Sequence, residues 1–351
     1  MKRKKAINFL TVTLFAGILL TFTIYIGMDT AIKAEEGDGE SGFNRRFYSD
    51  GAISEFARYF DYKVFGHIGK GDYIIGRDDW IFEAVDSQNG YERLLDYIGG
   101  RELSAEELER FTSILEKRTH LYGNVGTKYM MIVIPDSMNV CSDKVPWYLG
   151  EHSENSRLSQ LGSHFEAIGF SAFIDPSEFM KADDGEIALY NNTENSINAY
   201  GAYCIYNVAL DEIEKDLQAG FDRLTDSELD FYTRITDGKT IAKNAGIEMI
   251  VKNRTVSLSD NTPENYTVVS SFGDGICTER DGARSRAEGT FVVVECTNSW
   301  DRMQLMPYFS NTFDKVIYRD SLLSDPYAAS DRGAAVVIQV IRESELDIIL
   351  K

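Results

Sequence analysis

The clearest indication of the fold class is the segment FVVVECTNSWDRMQLMPYFSNTFDKVIYRD, residues 291–320. It opens with a continuous apolar run, which predicts a strand at 290–296 that is buried on both faces. A helix near 302–312 and a second apolar strand at 315–319 follow, and a third strand is predicted at 335–341. Strands that alternate with helices predict a doubly wound parallel sheet, which binds ligands at the carboxyl ends of its strands.

The preceding half of the chain shows the same alternation. A helix is predicted at 104–123, where Ser104 and Glu107 make a capping box, and its apolar face consists of Leu108, Phe111, Ile114, Leu115 and Leu121. Further elements are predicted at 129–134 (strand), 156–168 (helix), 171–174 (strand) and 199–217 (helix). Residues 221–288 are polar and Gly-rich with short β-prone pieces at 248–251 and 266–269, which indicates an antiparallel, β-rich insertion.

The N-terminus has the pattern of a membrane anchor. Basic residues at 2–5 precede residues 6–28, a run of 23 residues without a charge. At about 1.5 Å per residue a helix of this length spans a hydrocarbon core of about 30 Å, with the basic flank in the cytoplasm. A cleaved signal peptide is the competing interpretation, although Ile32 stands where a site ending at Ala34 prefers a small residue.

We therefore expect a cytoplasmic tail at 1–5, a transmembrane anchor at 6–28, a linker at 29–46 and one extracytoplasmic domain at 47–351. All 56 acidic residues of the chain follow the anchor, together with all but four of its 36 basic residues, which gives this part a net charge near −24. Such a charge argues against nucleic acid or anionic lipid as a partner.

Cysteine and histidine point to no particular site. The four cysteines (141, 204, 277 and 296) allow three disulfide pairings in an exported domain, and they are equally compatible with buried thiols. The four histidines (67, 120, 152 and 164) are dispersed, and there is no C-x-x-C motif. We therefore expect neither a metal site nor a cofactor.

The segment YNNTENSINAYGA, residues 190–202, resembles the Y-x-x-x-D-x-H-W-x-x-x-G-A segment of the SGNH-hydrolase-like family that O-acetylates alginate and other exopolysaccharides. When the two are aligned on Tyr190 and Gly201, the Asp of the family falls on Glu194, its His on Ser196 and its Trp on Ile197. Residues 71–83, 104–146, 291–320 and 336–350 resemble other family segments in the same order. The resemblance implies an SGNH-hydrolase-like, flavodoxin-like fold.

The same resemblance implies catalytic positions whose residues have changed. In the family a serine attacks the acetyl donor and a histidine accepts its proton, because a serine hydroxyl is a weak nucleophile without a base. Ser299 is the serine in the comparable turn. The family has a proline about seven residues beyond its nucleophile, whereas Pro307 lies eight residues beyond Ser299. Strict register therefore aligns Trp300, and not Ser299, with the nucleophile of the family. Ser196 stands where the family has its histidine, so this position offers no base. A carboxylate such as Glu194, with a pKa of about 4.3, is a weak proton acceptor in place of the histidine.

Other polar residues near these positions are candidates for binding sugar hydroxyls. They also have structural interpretations: the loop residues fit a solvated loop or a helix cap, and the arginines Arg302 and Arg342 fit surface salt bridges. Trp147 and Trp300 could stack on sugars, whereas Trp80 is expected in the core. The candidate binding residues are Asn192, Asn195, Asn198, Asn298, Trp300 and Arg302.

Three functions follow as hypotheses. The first is a membrane-anchored, extracytoplasmic protein of polysaccharide O-acetylation that is catalytically impaired and binds cell-surface polysaccharide or a multi-spanning membrane acyltransferase. The second is an active O-acetyltransferase or esterase with Ser299 as nucleophile and a base from elsewhere. The third is a structural cell-surface protein. The sequence alone does not decide whether the chain is an enzyme.

Overall fold

The computed structural model of this protein describes residues 72–85, 90–182, 187–260, 262, 264–272, 275–280, 289–320 and 333–350. The predicted tail, anchor and linker lie outside these ranges, as does His67. Within them, no helix combines the length and the apolarity needed to cross a bilayer.

Seven strands form the central sheet. Their spatial order is β4 (Phe173–Ile174), β3 (Lys128–Ile134), β11 (Val336–Arg342), β9 (Phe291–Cys296), β10 (Lys315–Arg319), β8 (Gly275–Arg280) and β7 (Tyr266–Phe272). The first five strands pair in parallel, as the sequence predicts, whereas β8 and β7 are antiparallel. The predicted parallel sheet is thus confirmed for these five strands, and the two antiparallel strands from the predicted β-rich insertion make the sheet as a whole mixed.

The predicted β-rich insertion divides between two places. Its second half, β7 and β8, is a hairpin that extends the central sheet at its β10 edge. Its first half contains a separate two-stranded ribbon of β5 (Phe231–Asp237) and β6 (Lys252–Leu258). The strand predicted at 248–251 is wrong, because the carbonyls of Glu248 and Val251 accept hydrogen bonds from the Gly238 N–H in a compact turn before β6.

Helices cover both faces of the sheet. One face packs against α2 (Ala105–Gly123), α4 (Arg157–Ala167) and α9 (Asp347–Leu350), and the other against α6 (Ala199–Leu217) and α8 (Ser299–Thr312). Side chains of each central strand alternate between the two cores. The remaining elements are β1 (Tyr73–Ile75), β2 (Ile81–Glu83), α1 (Glu92–Ile98), α3 (Ser137–Val140), α5 (Ser177–Ala182) and α7 (Thr240–Asn244).

The start of α2 confirms the predicted capping box. The Glu107 N–H donates to Ser104 Oγ at 3.2 Å, and the Ser104 N–H donates to Glu107 Oε2 at 2.8 Å. Phe111 and Leu115 are buried as expected, but Leu121 is 43% exposed. Tyr122 takes the expected place of Leu121 in the core and stacks on Tyr129 of β3, with ring centroids 5.6 Å apart.

The cysteines are thiols in this structure, with no disulfide among the four. Cys204, Cys277 and Cys296 are buried, and Cys141 is partly buried. Burial raises the pKa of the Cys141 thiol to about 12, so the reactive thiolate is disfavoured there. Of the two expectations from the sequence, the structure favours buried thiols.

We expect Ser104→Ala to lower the free energy of unfolding by about 1 kcal/mol, since the first turn of α2 loses the side-chain acceptor of its cap. Urea unfolding followed by circular dichroism measures this change. Ser113→Ala, in the interior of the same helix, is the control and should be neutral or slightly stabilising. Equal stabilities for the two variants would contradict the role of the cap.

Candidate functional site

The candidate site lies at the carboxyl ends of β3, β9 and β11, where residues 190–198 form a loop before α6. A cavity of about 10 Å³ remains there, which is space for about one water molecule. A sugar ring does not fit into this volume. Its polar lining consists of Arg93, Asp136, Tyr190, Asn195, Arg342, Glu343 and Ser344.

Backbone hydrogen bonds close the 190–198 loop into a tight turn. Tyr190 and Ile197 form an antiparallel bridge, and the Asn191 N–H donates to the Ser196 carbonyl at 2.9 Å. The Tyr190 hydroxyl donates to the Pro135 carbonyl at 2.8 Å, which attaches the loop to the end of β3. Asn195 has a φ of +50°, in the left-handed region that asparagine tolerates better than most residues.

Asn192, a candidate sugar-binding residue, is buried and fully used within the protein. Its amide nitrogen donates to the carbonyls of Asp79 and Lys252, both at 2.9 Å, and its oxygen accepts from the Arg254 N–H at 2.7 Å. These three bonds join the turn of the β1–β2 hairpin to β6. The interpretation of this segment as a solvated loop is therefore wrong, because its amides replace water as partners of buried backbone groups.

The side chains at the two positions that align with the catalytic Asp and His of the family also form hydrogen bonds within the protein. Ser196 is 5% exposed, and its Oγ accepts from Asn191 Nδ2 at 3.0 Å. Glu194 is partly exposed and accepts from the Thr240 hydroxyl of α7 at 3.3 Å. Neither side chain contacts an imidazole among the described residues.

Asn195 and Asn198 have structural roles on either side of Ser196. The Asn195 side chain lies 3.1 Å from the Ser137 hydroxyl, and its amide can also bond the Glu83 N–H and the Ile81 carbonyl of β2. Asn198 caps α6, since its Oδ1 accepts from the N–H groups of Tyr200 and Gly201 at 3.0 and 3.1 Å. The capping interpretation of Asn198 is thus the one that the structure favours.

Gly201 is required by the close approach of α6 to the loop. A Cβ at this position would lie 2.2 Å from the carbonyl oxygen of Leu189, a distance that no side chain can accommodate without a backbone shift. The frame residues shared with the family, Tyr190 and Gly201, therefore shape the loop and the helix start.

Ser299 is the first residue of α8 and is exposed. Asn298 caps this helix by accepting from the Trp300 N–H at 2.9 Å, and the Trp300 indole N–H donates to the Ile197 carbonyl at 3.0 Å. The start of α8 thus lies against the 190–198 loop. The structure thus brings the two segments together. The side chain that contacts the loop is the Trp300 indole, and Trp300 is the residue that strict register aligns with the nucleophile of the family.

The described histidines are engaged elsewhere. His152 packs against Tyr97, and burial together with Lys181 lowers its pKa to about 4. His164 Nε2 lies 2.8 Å from the Thr112 hydroxyl, and His120 Nδ1 lies 3.3 Å from Asn124. In the ranges that the structure describes, no histidine bonds to Ser299.

Both arginines considered for sugar carboxylates are salt-bridged. Arg342 donates from Nε and Nη2 to the two carboxylate oxygens of Asp301 at 2.7 and 2.8 Å. Arg302 Nη1 lies 2.6 Å from Asp320 Oδ2. These pairs favour the structural interpretation of both residues over recognition of a ligand carboxylate.

The candidates drawn from the sequence do not include a buried charged cluster at the cavity. Glu343 is buried, and its Oε2 accepts from the Asp136 N–H and from Asn139 Nδ2, both at 2.8 Å. Burial, and then the carboxylate of Asp96, raises the pKa of Glu343 to about 7. The signal in the sequence was available, since Asp136 and Glu343 each come directly after a long apolar strand.

Arginines offset the charge of these carboxylates. Arg93 Nη1 lies 3.3 Å from Asp136 Oδ2, and Arg157 binds the fully buried Asp96 through two nitrogens at 2.8–3.1 Å. Among the described residues, no group of three or more His, Cys, Asp or Glu side chains is arranged to hold a metal ion.

The fold is similar to that of solved structures at low sequence identity. Bacillus cereus PatB1 with a sulfonyl adduct matches over 79% of this chain and 96% of its own, with a TM-score of 0.54 and 12% identity. A DHHW family protein from Eubacterium siraeum matches over 76% of this chain and 88% of its own, with a TM-score of 0.52 and 12% identity. These matches concern the fold alone.

The O-acetyltransferase domain of Pseudomonas putida AlgJ also matches, over 80% of this chain and 92% of its own, with a TM-score of 0.47 and 13% identity. Neither the protein-family models nor the curated proteins compared with this chain give a match.

We expect Ser196→His, which reinstates the family's imidazole, to destabilise the protein by about 1–3 kcal/mol. The larger side chain must enter a closed turn and displace the bond from Asn191. Urea unfolding measures the change, with the exposed Ser299→Ala as a control expected within about 0.5 kcal/mol of wild type. A Ser196→His variant as stable as wild type would mean that the loop has room for a base.

Glu343 should make stability depend on pH. Its folded pKa of about 7 exceeds the unfolded value of about 4.3, so between these values the folded state holds the extra proton. The free energy of unfolding therefore falls as pH rises through this window. We expect Glu343→Gln to lose less stability than wild type between pH 5 and pH 8, by on the order of 1 kcal/mol. The exposed Glu116→Gln is the control, and parallel pH profiles for all three proteins would contradict the assignment.

Proposed function

We propose that this chain is a non-catalytic, membrane-anchored protein of cell-surface polysaccharide O-acetylation, which binds polysaccharide outside the cytoplasm without transferring acetyl groups. One observation carries the proposal: the residue at the family's base position, Ser196, is a buried hydroxyl bonded to Asn191. A hydroxyl cannot accept the proton of a serine nucleophile at neutral pH.

The surroundings of Ser299 agree with this proposal. Its hydroxyl is exposed at the start of α8, and the nearby Trp300 indole is bonded to the 190–198 loop. Acyl transfer by serine needs a base within hydrogen-bond reach. The three histidines in the described part of the chain have the other partners given above. Among the described residues, no histidine is therefore placed to accept the proton in chemistry of the family type.

The link to polysaccharide rests on resemblance and on fold. Five segments of the sequence resemble the O-acetylating family in order, and the fold is similar to that of PatB1 and of a DHHW family protein. The anchor at 6–28 and the extracytoplasmic location belong to the proposal, on the basis of the basic flank and the uncharged segment. A multi-spanning membrane acyltransferase is the proposed protein partner.

We expect the full-length protein, purified in a polyoxyethylene detergent, to hydrolyse p-nitrophenyl acetate no faster than buffer with detergent. The physical reason is the missing base beside Ser299. Release of p-nitrophenol at pH 7.5 measures the rate, and Ser299→Ala serves as the matched variant. Turnover well above the background that Ser299→Ala abolishes would establish the active-enzyme hypothesis instead.

A further inference from the structure

Two adjacent aromatic rings stand exposed on the connection between β3 and α4. Trp147 is 80% exposed and Tyr148 is 58% exposed. Large aromatic side chains normally bury most of their surface, because each contributes 150–250 Å² of apolar area when it packs. Neither ring is part of the site described above.

The backbone under these rings is held in place. Trp147–Leu149 form a 3-10 turn after Pro146, in which the Leu149 N–H donates to the Pro146 carbonyl and the Gly150 N–H to the Trp147 carbonyl, both at 3.1 Å. The hydroxyl of the buried Tyr97 donates to the Gly150 carbonyl at 3.1 Å, and Val145 is buried before the turn. The rings are therefore presented from a fixed backbone, which lowers the entropy lost on binding.

The two rings form a corner. Their centroids lie 6.4 Å apart and their planes meet at 79°. A pyranose has an apolar face of C–H groups and a rim of hydroxyls, so it can stack on the indole while its rim meets the tyrosine. Tyrosine and tryptophan supply such rigid, amphipathic contact area at a low cost in conformational entropy.

Lys144, three residues before Trp147, is paired with two carboxylates. Lys144 Nζ lies 3.0 Å from Asp143 Oδ2 and 3.0 Å from Asp78 Oδ2. The charge of Lys144 is therefore offset by two carboxylates and does not attract an acidic sugar. The net charge of about −24 after the anchor also opposes the binding of polyanions. The charge distribution favours a neutral glycan over an acidic one.

The aromatic corner is attached to the same hairpin as the 190–198 loop. The Arg77 N–H donates to the Lys144 carbonyl at 2.8 Å, and two residues further on the Asp79 carbonyl accepts from Asn192. The connection that carries the corner leaves the carboxyl end of β3, the edge where sheets of this kind bind ligands.

We propose that Trp147 and Tyr148 are a binding site for a neutral polysaccharide, a proposal that rests on the proposed function of glycan binding. The stacked sugar contacts the indole face, and the tyrosine ring closes the second side of the corner.

Co-sedimentation with insoluble polysaccharides tests this site. The full-length protein in polyoxyethylene detergent, which has no sugar headgroup to compete, is mixed with cellulose, chitin, mannan or curdlan as neutral probes and with calcium alginate as the acidic probe. We expect binding to at least one neutral probe. Trp147→Ala should weaken it at least 10-fold, as expected for a central aromatic contact.

Graded variants separate stacking from a general loss of structure. Tyr148→Ala should weaken binding less than Trp147→Ala, and Trp147→Phe should retain part of it. Met249→Ala, which removes another exposed apolar side chain (72% exposed), is the control and should bind as wild type does. Urea unfolding should give the same stability for all four variants, because the altered side chains are exposed.

The unfavourable outcomes are distinct. If a neutral polysaccharide binds and Trp147→Ala binds equally well, the aromatic site is overturned while glycan binding stands. Stronger binding to alginate than to every neutral probe would overturn the neutral class. Failure to bind any probe would overturn both the site and the proposed function.

Discussion

Burial at the carboxyl ends of β3 and β11 takes water away from the polar groups there and makes hydrogen bonds within the protein the main way to satisfy them. The carboxylate of Glu343 accepts two hydrogen bonds from the segment that follows β3. The Asn192 side chain donates two hydrogen bonds, to the β1–β2 hairpin turn and to β6, and accepts one from β6. An unpaired group in such a place costs about 1–3 kcal/mol. The cavity that remains between these groups has room for about one water molecule.

The same requirement explains how a catalytic frame can persist without catalysis. Tyr190, Asn198 and Gly201 shape the loop and the start of α6 through backbone contacts. The positions between them then hold amides and a hydroxyl that bond to neighbouring carbonyls and N–H groups. Reactive side chains need unsatisfied hydrogen-bonding capacity for the substrate, whereas the Asn192 amide and the Ser196 hydroxyl already bond to other groups of the protein.

Local signals made much of the fold predictable, and distant contacts made the rest unpredictable. The predicted bounds of the 199–217 helix coincide with α6, and the capping box located α2. The antiparallel addition of β8 to β10 depends on pairing that no local pattern encodes. For the site, the sequence identified the 190–198 loop and the turn at Ser299 as candidates. It did not predict the burial of that loop, because burial is set by β1, β2, β6 and α7, which lie far away in the chain.

The order of the strands has a consequence for how the molecule assembles. β11 is the last strand along the chain, yet it lies between β3 and β9 at the centre of the sheet. Until it arrives, β3 and β9 each present an unpaired edge, and the contacts it makes with β3 close a loop of about 200 residues, which is slow to form. The sheet is therefore completed only after the rest of its strands have been made.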